Sequence, residues 1–195
     1  MLIYYDSKKD MTPLLMGHDI TKMLNAQNLH NRRIVILCIG SDRSTGDCLG
    51  PLIGYKLSGP LKLHPYISVF GTLQAPVHAV NLVSTVNSIY ESLGDPYIIA
   101  IDASLGRHDH IGFVTLGTGG LRPGLGVKKE LPEIGDIHIT GIVNVSGNAD
   151  TRLLQTTRLS TIMTLADVIT DGLIYTFNDM YSYQDITYQA SYRRA

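Results

Sequence analysis

Long apolar runs, a framework of cysteines and a strong net charge are all missing from this sequence. No run approaches the ~20 apolar residues that a membrane-spanning helix needs. Lys8, Lys9 and Asp10 lie where a signal peptide would have its apolar centre. The two cysteines, Cys38 and Cys48, do not fit the pattern of a disulfide framework or a zinc site. These absences predict a soluble protein of the cytoplasm that does not bind membranes.

The charge balance argues against a nucleic-acid partner. The formal net charge is -1, whereas proteins that bind nucleic acid concentrate basic residues on one face. Hydrophobic residues make up 44% of the chain and charged residues 17%, which is typical of a folded globular protein rather than a disordered one. A chain of 195 residues is most simply one domain with an extensive core.

Residues 33–57 combine a strand, a polar loop and a helix. The apolar run at 35–39 is short and rich in β-branched residues, as in a strand covered on both faces, and this favours a parallel sheet. Asp47 follows the loop, where a helix N-cap or first-turn acid belongs. Because Pro51 suits only the first turn of a helix, we expect the helix to begin between Asp47 and Gly50. Asp47 then lies at the carboxyl edge of the sheet, where such folds place their sites.

The loop does not match the common phosphate-binding motifs. A P-loop has four residues between its glycines and then Lys and Ser or Thr, whereas five residues separate Gly40 from Gly46 and Asp47 follows. A dinucleotide-binding loop is excluded because there is no Gly-x-Gly core and because Asp42 and Asp47 would repel a pyrophosphate. The G-x-S-x-G nucleophile elbow is also absent around Ser44. The loop therefore presents acidic side chains and does not form a binding site for an anion.

Strands and helices alternate along the rest of the chain. Apolar periodicity predicts strands at 67–71, 97–103, 112–116 and 136–144 and helices at 77–93 and 151–177. The connection before strand 112–116 is too short for a parallel crossover, so this strand should run antiparallel. The expected fold is an α/β fold, a three-layer α/β/α sandwich around a mostly parallel mixed sheet with one antiparallel strand.

This domain should span residues 32–177. Residues 1–31 are interpreted as an N-terminal extension, with Leu14, Leu15, Ile20, Met23 and Leu24 at the spacing of a helix that packs against the domain. Residues 178–195 form a polar, tyrosine-rich tail. The tail is a candidate for pairing with a partner chain, and a homo-oligomer remains open.

Asp47 and Asp102 are the best candidates for chemistry. Asp102 interrupts the far end of the apolar run 97–103, where a buried acid needs either hydrogen bonds from the adjoining loop or a function. Two carboxylates that lie close together do not ionise independently, so one can activate a water as a base while the other donates a proton. His108 and His110 are interpreted as solvated turn residues. His138 faces either the site or a solvated side of its strand, and we favour the solvated side.

The segment CIGSDRSTGDCLGPLIGYKL, residues 38–57, resembles the opening motif of the YyaC-like sporulation proteins. That group is similar to the spore germination protease and, more distantly, to the hydrogenase maturation proteases. The likeness covers about residues 33–177 and includes FGTLQAPVHAVN, YIIAIDASLG, RPGLGVKKELPEIGD and IHITGIVN in the family's order. It implies a phosphorylase/hydrolase-like fold. It also implies that Asp47 and Asp102 carry catalysis, because they match the aspartates thought to do so in the germination protease.

The site implied by this resemblance extends beyond the two acids. Ser44 and Thr45, in the loop before Asp47, are candidate substrate-binding residues. The string PGLGVKKEL resembles a loop of the germination protease and would form a wall or flap of the site, which adds Gly124, Gly126 and Lys129 as candidate substrate-binding residues. The alternative for this second loop is a flexible surface excursion.

Two other kinds of site are weighed against the acid pair. The Cys48 thiolate would be favoured at a helix N-terminus, but the adjacent Asp47 opposes it. In the hydrogenase maturation proteases nickel is held by two acids and a histidine from a later loop, and loop 117–135 contains no histidine. We therefore predict no cofactor. A divalent metal at Asp47 and Asp102 would lack a third ligand, although the predicted position of His78, at the start of the second helix, is within reach of the cleft.

Two functions of different class remain open. The first is an aspartate-dependent peptidase that cleaves a protein or peptide made during sporulation, in the cytoplasm of the forespore. The second is a non-catalytic binding or regulatory module that keeps a protease-like fold, because a fold does not carry a function with it. The missing loop histidine and the additional tail motivate this second hypothesis.

Overall fold

The computed structural model describes residues 1–27, 29, 32–123, 132–147 and 150–192, with the backbone alone described for 150, 151 and 181–192. Within these residues the chain forms six strands and five helices. The strands are β1 Leu2–Asp6, β2 Ile34–Cys38, β3 Ile67–Phe70, β4 Tyr97–Gly106, β5 Phe113–Thr118 and β6 Ile137–Val145. The helices are α1 Thr12–Asn25, α2 Leu49–Ser58, α3 Leu82–Leu93, α4 Asp150–Gln155 and α5 Leu159–Tyr192. Short 3-10 turns lie at Gly46–Cys48 and His108–His110.

The six strands belong to one sheet with the order β1-β5-β6-β4-β2-β3. The strands β3, β2, β4 and β6 pair in parallel, and β5 pairs antiparallel with both β6 and β1. β1 therefore runs in the same direction as the parallel strands. Among the described strands β5 alone runs the opposite way, which confirms the predicted mixed sheet with one antiparallel strand. The physical reason is the short connection 107–112 between β4 and β5, which cannot hold a crossover.

Helices cover both faces of the sheet and create three layers. One face carries the apolar cluster that includes Leu37, Ile98 and Ala100 and packs under Leu82 and Ile89 of α3. The other face packs against α1, α2 and α5, in a larger cluster with Met16, Ile20, Leu49, Ile53, Leu165 and Ile169. Every residue of β2 is buried, which explains its unbroken apolar run. The three-layer α/β/α arrangement is confirmed.

The N-terminal residues complete the sheet. β1, which was not predicted, pairs with β5 as an edge strand, and the Tyr5 hydroxyl donates a hydrogen bond of 2.7 Å to Asp19 on α1. α1 packs against α5, and its buried residues include Met16, Gly17, Ile20, Thr21 and Leu24. The predicted packing positions are wrong for Leu14 and Leu15, which are exposed, because the buried face follows the i, i+4 spacing of Met16, Ile20 and Leu24.

Two predicted helices are shortened or interrupted in the structure, each at a specific contact. The helix predicted at 77–93 begins only at Leu82, since Val77 bridges to Ile39 and extends the sheet instead. The helix predicted at 151–177 is broken between α4 and α5. The Thr157 hydroxyl and the Asn144 amide donate to the Leu153 carbonyl at 2.9 and 2.8 Å, and this contact ends α4.

The C-terminal boundary is also different. α5 continues to Tyr192, so residue 177 is not the end of a helix. Among the described residues, none of the helices has an apolar stretch long enough to cross a membrane.

Candidate functional site

The loop after β2 places Asp47 at the carboxyl edge of the sheet. The Ser41 N–H donates to the Asp47 carbonyl at 3.1 Å, and the Asp47 N–H donates to the Ser44 carbonyl at 3.0 Å. Gly40 has a φ of 137°, and a Cβ there would collide with the Asp47 carbonyl oxygen. Only glycine suits this position. A 3-10 turn at Gly46–Cys48 then leads into α2 at Leu49, within the predicted window for the helix start.

Asp102 lies on the neighbouring strand, just beyond the end of β2. Cys38 at the end of β2 pairs with Ile101, so Asp102 is the next residue along β4. Ile98 and Ala100 belong to the apolar cluster beneath α3, and the two-residue period of a strand places Asp102 on that same face. Its side chain is 8% exposed, and its Oδ1 accepts a hydrogen bond of 2.8 Å from the Ala103 N–H.

The two carboxyl groups lie close enough to influence each other's ionisation. Burial raises the pKa of Asp102 well above its usual range, the Asp47 carboxylate raises it further, and the Ala103 N–H partly opposes the rise. Burial also raises the pKa of Asp47, but the Ser41 N–H and the charge of His78 lower it. Asp102 therefore holds its proton more firmly than Asp47 does.

His78 lies at the same edge of the sheet. The Gly40 N–H donates to the Val77 carbonyl at 2.8 Å, which places residue 78 beside the loop that carries Asp47. The His78 Nδ1 accepts a hydrogen bond of 3.3 Å from the Val80 N–H. His78 is thus near Asp47, as its effect on the pKa of that acid also indicates.

A cluster of hydroxyl groups continues the site from Asp102 across the sheet. Thr140 is the register partner of Asp102 on β6. Its Oγ1 lies 3.0 Å from the Ser104 Oγ and 2.8 Å from the Thr115 Oγ1. These three residues were missed in the sequence. The sequence pattern that could have indicated Thr140 is the alternation of His138 and Thr140 with isoleucines. In the sequence analysis a solvated face was favoured for this pattern.

The polar face of β6 is partly exposed and is also the face on which Asp102 lies. His138 is partly buried, and its Nδ1 forms a hydrogen bond of 2.9 Å with the Gly119 carbonyl. The polar residues of β6 lie on the face of Asp102 because Asp102 and Thr140 are partners in a parallel ladder, and such partners point to the same side of the sheet. The sequence cannot show this register.

The predicted substrate-binding residues are divided between two loops. Ser44 and Thr45 are partly buried in the loop before Asp47, and the Ser44 Oγ is buried without a hydrogen-bond partner. A buried hydroxyl without a partner is unusual, and a bound ligand would satisfy it. Gly124, Gly126 and Lys129 lie outside the described residues.

Cys48 is a poor nucleophile in this arrangement. Burial raises its pKa, and the charges of Asp47 and Asp42 raise it further, against a lowering by its own backbone N–H. The Cys48 Sγ lies 3.0 Å from the Thr45 carbonyl and donates to it. The group is therefore a protonated thiol at neutral pH.

The histidines of the second 3-10 turn belong to the surface structure. The His110 ring lies 5.2 Å from both the Tyr4 and the Phe113 rings. Arg107 pairs with Asp109 at 2.9 Å.

Across the described part of the chain, no group of three or more His, Cys, Asp and Glu side chains is arranged to hold a metal ion.

The fold and the site define an α/β/α protein that carries a pair of coupled aspartates at the carboxyl edge of a mixed sheet. A family model described as a protein of unknown function, DUF1256, matches residues 3–172. The match spans all six strands and most of the helices, and the chain belongs to this family.

A curated relative supports the same assignment. The chain is similar to the uncharacterized protein YyaC of Bacillus subtilis (strain 168), with 51% identity over 143 residues that cover 73% of this chain and 69% of that protein. The resemblance to the YyaC-like group is thereby confirmed.

Proposed function

We propose that this protein is an aspartate-dependent peptidase in which Asp47 is the base and Asp102 the acid. The observation that carries the proposal is the asymmetric coupling of the two carboxyl groups: the Asp47 carboxylate raises the pKa of the buried Asp102, while His78 and Ser41 favour the ionised form of Asp47. Pairs of this kind hold one proton between two acids, as general acid–base hydrolysis requires.

The proposed reaction is the hydrolysis of a peptide bond by an activated water. The Asp47 carboxylate accepts a proton from the water while its oxygen attacks the carbonyl carbon. The protonated Asp102 donates to the carbonyl oxygen, which gives a tetrahedral gem-diol. Asp47 then passes the proton it took from the water to the amide nitrogen as the C–N bond breaks, and Asp102 takes a proton back from a gem-diol hydroxyl as the new carboxyl group forms. Ser104 and Thr140, which follow Asp102 across the sheet, offer hydroxyl groups that bind the polar main chain of the substrate.

The biological setting is proposed from the resemblance to the sporulation proteins and the germination protease. The substrate is a protein or peptide made during sporulation, and the peptidase acts on it in the cytoplasm of the forespore. Ser44, with its unpartnered buried hydroxyl, and Thr45 contact the substrate next to the scissile bond.

The test is a cleavage assay on proteins from sporulating cells. Purified protein is incubated with extract from sporulating Bacillus cells over a range of pH, with and without divalent metal ions, and new peptide termini are identified by mass spectrometry. We expect defined fragments from the wild type and a loss of at least ~100-fold in the rate of cleavage for Asp47→Asn and Asp102→Asn. Asp171→Asn, on the exposed side of α5, is the matched control and should cleave at the wild-type rate.

Two outcomes would count against the peptidase. Fragments that persist in both Asn variants would show that a contaminating protease produced them. A complete absence of fragments under all conditions, together with an intact partner that co-purifies in a stoichiometric amount, would favour the binding or regulatory module instead.

A further inference from the structure

We propose that the hydroxyl groups of Ser104 and Thr140 form a subsite that only accepts hydrogen bonds and that binds main-chain N–H groups of an extended peptide beside Asp102. This inference rests on the proposed function, because it takes the ligand to be the peptide substrate of the aspartate pair. It specifies which groups of that substrate contact the sheet. A residue without an N–H, such as proline, is excluded from the bound position.

The register of the sheet places three hydroxyl groups on the side of Asp102. Thr140 is the parallel ladder partner of Asp102, and Thr115 is the antiparallel partner of Thr140. Ser104 follows Asp102 by two residues on β4. Ladder partners point to the same side of a sheet, and so do residues two apart on one strand. The hydroxyl groups therefore share the face of the buried acid.

The backbone is irregular directly after Ser104, and it fixes the hydroxyl hydrogen of this residue. Ser104 pairs with Ile142 and Leu105 with Asn144, so β6 contains one residue more than β4 at this point. Such a bulge interrupts the regular ladder and re-aims side chains. The Ser104 Oγ lies 3.3 Å from the Gly141 carbonyl oxygen and donates to it. The single hydrogen of the Ser104 hydroxyl is thereby committed to the backbone.

The other two hydroxyl hydrogens are fixed in turn. Because the Ser104 hydrogen is already used, the contact of 3.0 Å between Ser104 and Thr140 has Thr140 as its donor. The contact of 2.8 Å between Thr140 and Thr115 then has Thr115 as its donor. This is the one assignment in which all three contacts are hydrogen bonds. A hydroxyl has one hydrogen and two lone pairs, so the cluster keeps only lone pairs for a ligand.

Two of the three hydroxyl groups are accessible to a ligand. Thr115 is buried, with 5% exposed, whereas Ser104 and Thr140 are partly exposed. An incoming carbonyl oxygen finds no hydrogen at these two groups, but an incoming N–H finds an acceptor. Every residue of a peptide except proline carries one main-chain N–H. The polarity of the cluster thus selects the donor groups of a peptide main chain.

The first test compares a peptide with a ligand of the same shape that lacks its N–H groups. The probes are acetyl-tetraalanine amide and the matched depsipeptide, in which lactic acid replaces each alanine and an ester oxygen replaces each alanine N–H. Both are titrated into protein with labelled threonine methyl groups and followed by NMR. We expect the peptide to shift the Thr140 and Thr115 signals and to bind ~3- to 10-fold more tightly than the depsipeptide, the effect of one hydrogen bond.

Substitutions then locate this preference. Thr140→Ser keeps the hydroxyl and should keep the preference for the peptide. Thr140→Val, which has nearly the same shape, and Ser104→Ala should each reduce the preference, and the two together should abolish it, with the Thr115 signal as the reporter. The control is Thr164→Val, because the exposed Thr164 donates to the Ser160 carbonyl within α5. A preference that persists in the double variant would overturn the subsite.

The second test reads the hydroxyl hydrogens directly, by neutron diffraction from the deuterated wild-type protein. We expect the Ser104 deuterium to point to the Gly141 carbonyl and the Thr140 deuterium to point to Ser104. A Thr140 deuterium that points away from Ser104 would overturn the inference. Equal affinities of the wild type for the two probes, or no binding of either at millimolar concentration, would overturn it as well.

These results are separable from the fate of the proposed function. Neither the wild-type titration nor the neutron experiment depends on the folding of a variant or on cleavage. A preference for the peptide in a protein that cleaves nothing would support the subsite and refute the peptidase. Cleavage by a protein that binds both probes equally would refute the subsite and leave the peptidase standing.

Discussion

Replacement of Asp102 by Asn should stabilise the protein, and the gain should increase with pH. Asp102 is buried, with 8% of its side chain exposed, and its pKa is raised well above the usual range by burial and by the Asp47 carboxylate. An amide has nearly the size of a protonated carboxyl group and carries no charge. At every pH, the Asp102→Asn protein therefore resembles the wild-type protein with a protonated Asp102.

The direction follows from the proton balance of folding. The folded state keeps a proton on Asp102 that the unfolded chain has already released. The contribution of Asp102 to the stability of the wild type is therefore fully present below the unfolded pKa of ~3.9, and it is lost as pH rises through the folded pKa. One proton gives a slope of at most ~1.4 kcal/mol per pH unit. For a chain of this size ~1 kcal/mol corresponds to ~2–4 °C in Tm, so the Tm difference between variant and wild type should widen by up to ~3–6 °C per pH unit.

The pair should also behave as a unit. Asp47→Asn removes the same repulsion that Asp102→Asn removes, and the repulsion is lost only once. The double variant should therefore gain less stability than the sum of the two single variants, by ~0.5–3 kcal/mol. Asp95 is the control, because it lies on the surface in an ion pair with Arg32, and Asp95→Asn should be additive with Asp102→Asn.

The assay is urea and thermal unfolding of the four proteins of this cycle at several pH values from mildly acidic to mildly alkaline. Either of two results would refute the reasoning. A stability difference between Asp102→Asn and wild type that does not change with pH would mean that Asp102 ionises as an ordinary acid. Additive effects of the two substitutions would mean that Asp47 and Asp102 are not neighbours.

Two further predictions concern the loop and the helix that follow β2. A Cβ on Gly50 would collide with the backbone of Ile39, so Gly50→Ala should cost ~1–3 kcal/mol in urea unfolding. The control is Gly59→Ala at the end of the same helix, where the space is open and φ is -74°. This substitution should increase the free energy of unfolding by ~0.4–1 kcal/mol. Equal effects of the two substitutions would contradict the close packing of Gly50 on Ile39. Alkylation of Cys48 should have its pH midpoint above that of a free cysteine, because burial and the neighbouring acids raise its pKa. Asp47→Asn should lower that midpoint, and an unchanged profile would place the carboxylate too far from the thiol.

The sequence by itself determined the elements that are buried on both faces and the direction of the strands. The runs 35–39 and 97–101 appear in the structure in β2 and β4, because a strand segment covered on both faces is apolar along its length. Pro51 limited where α2 begins, since its ring excludes a later position in a helix. Asp47 and Asp102 stood out for local reasons as well: Asp47 is an acid where a helix begins after the loop, and Asp102 is an acid at the far end of an apolar strand.

Only the tertiary structure decided which of these local patterns are interrupted and which residues meet. Val77 has helical spacing in the sequence, yet it extends the sheet because Ile39 is available as a partner. Asn144 contributes to the end of α4 from β6, the strand that precedes that helix. Such contacts leave no local period to detect.

The hydroxyl cluster around Thr140 and the position of His78 beside Asp47 have the same origin. Thr140 meets Asp102 through the register of β6 on β4, and a shift of one residue would turn its side chain to the other face. His78 meets Asp47 through the hydrogen bond from Gly40 to Val77. Strand register and backbone pairing are long-range choices that depend on the whole folded chain, and with them the tertiary structure determined the composition of the site beyond its two acids.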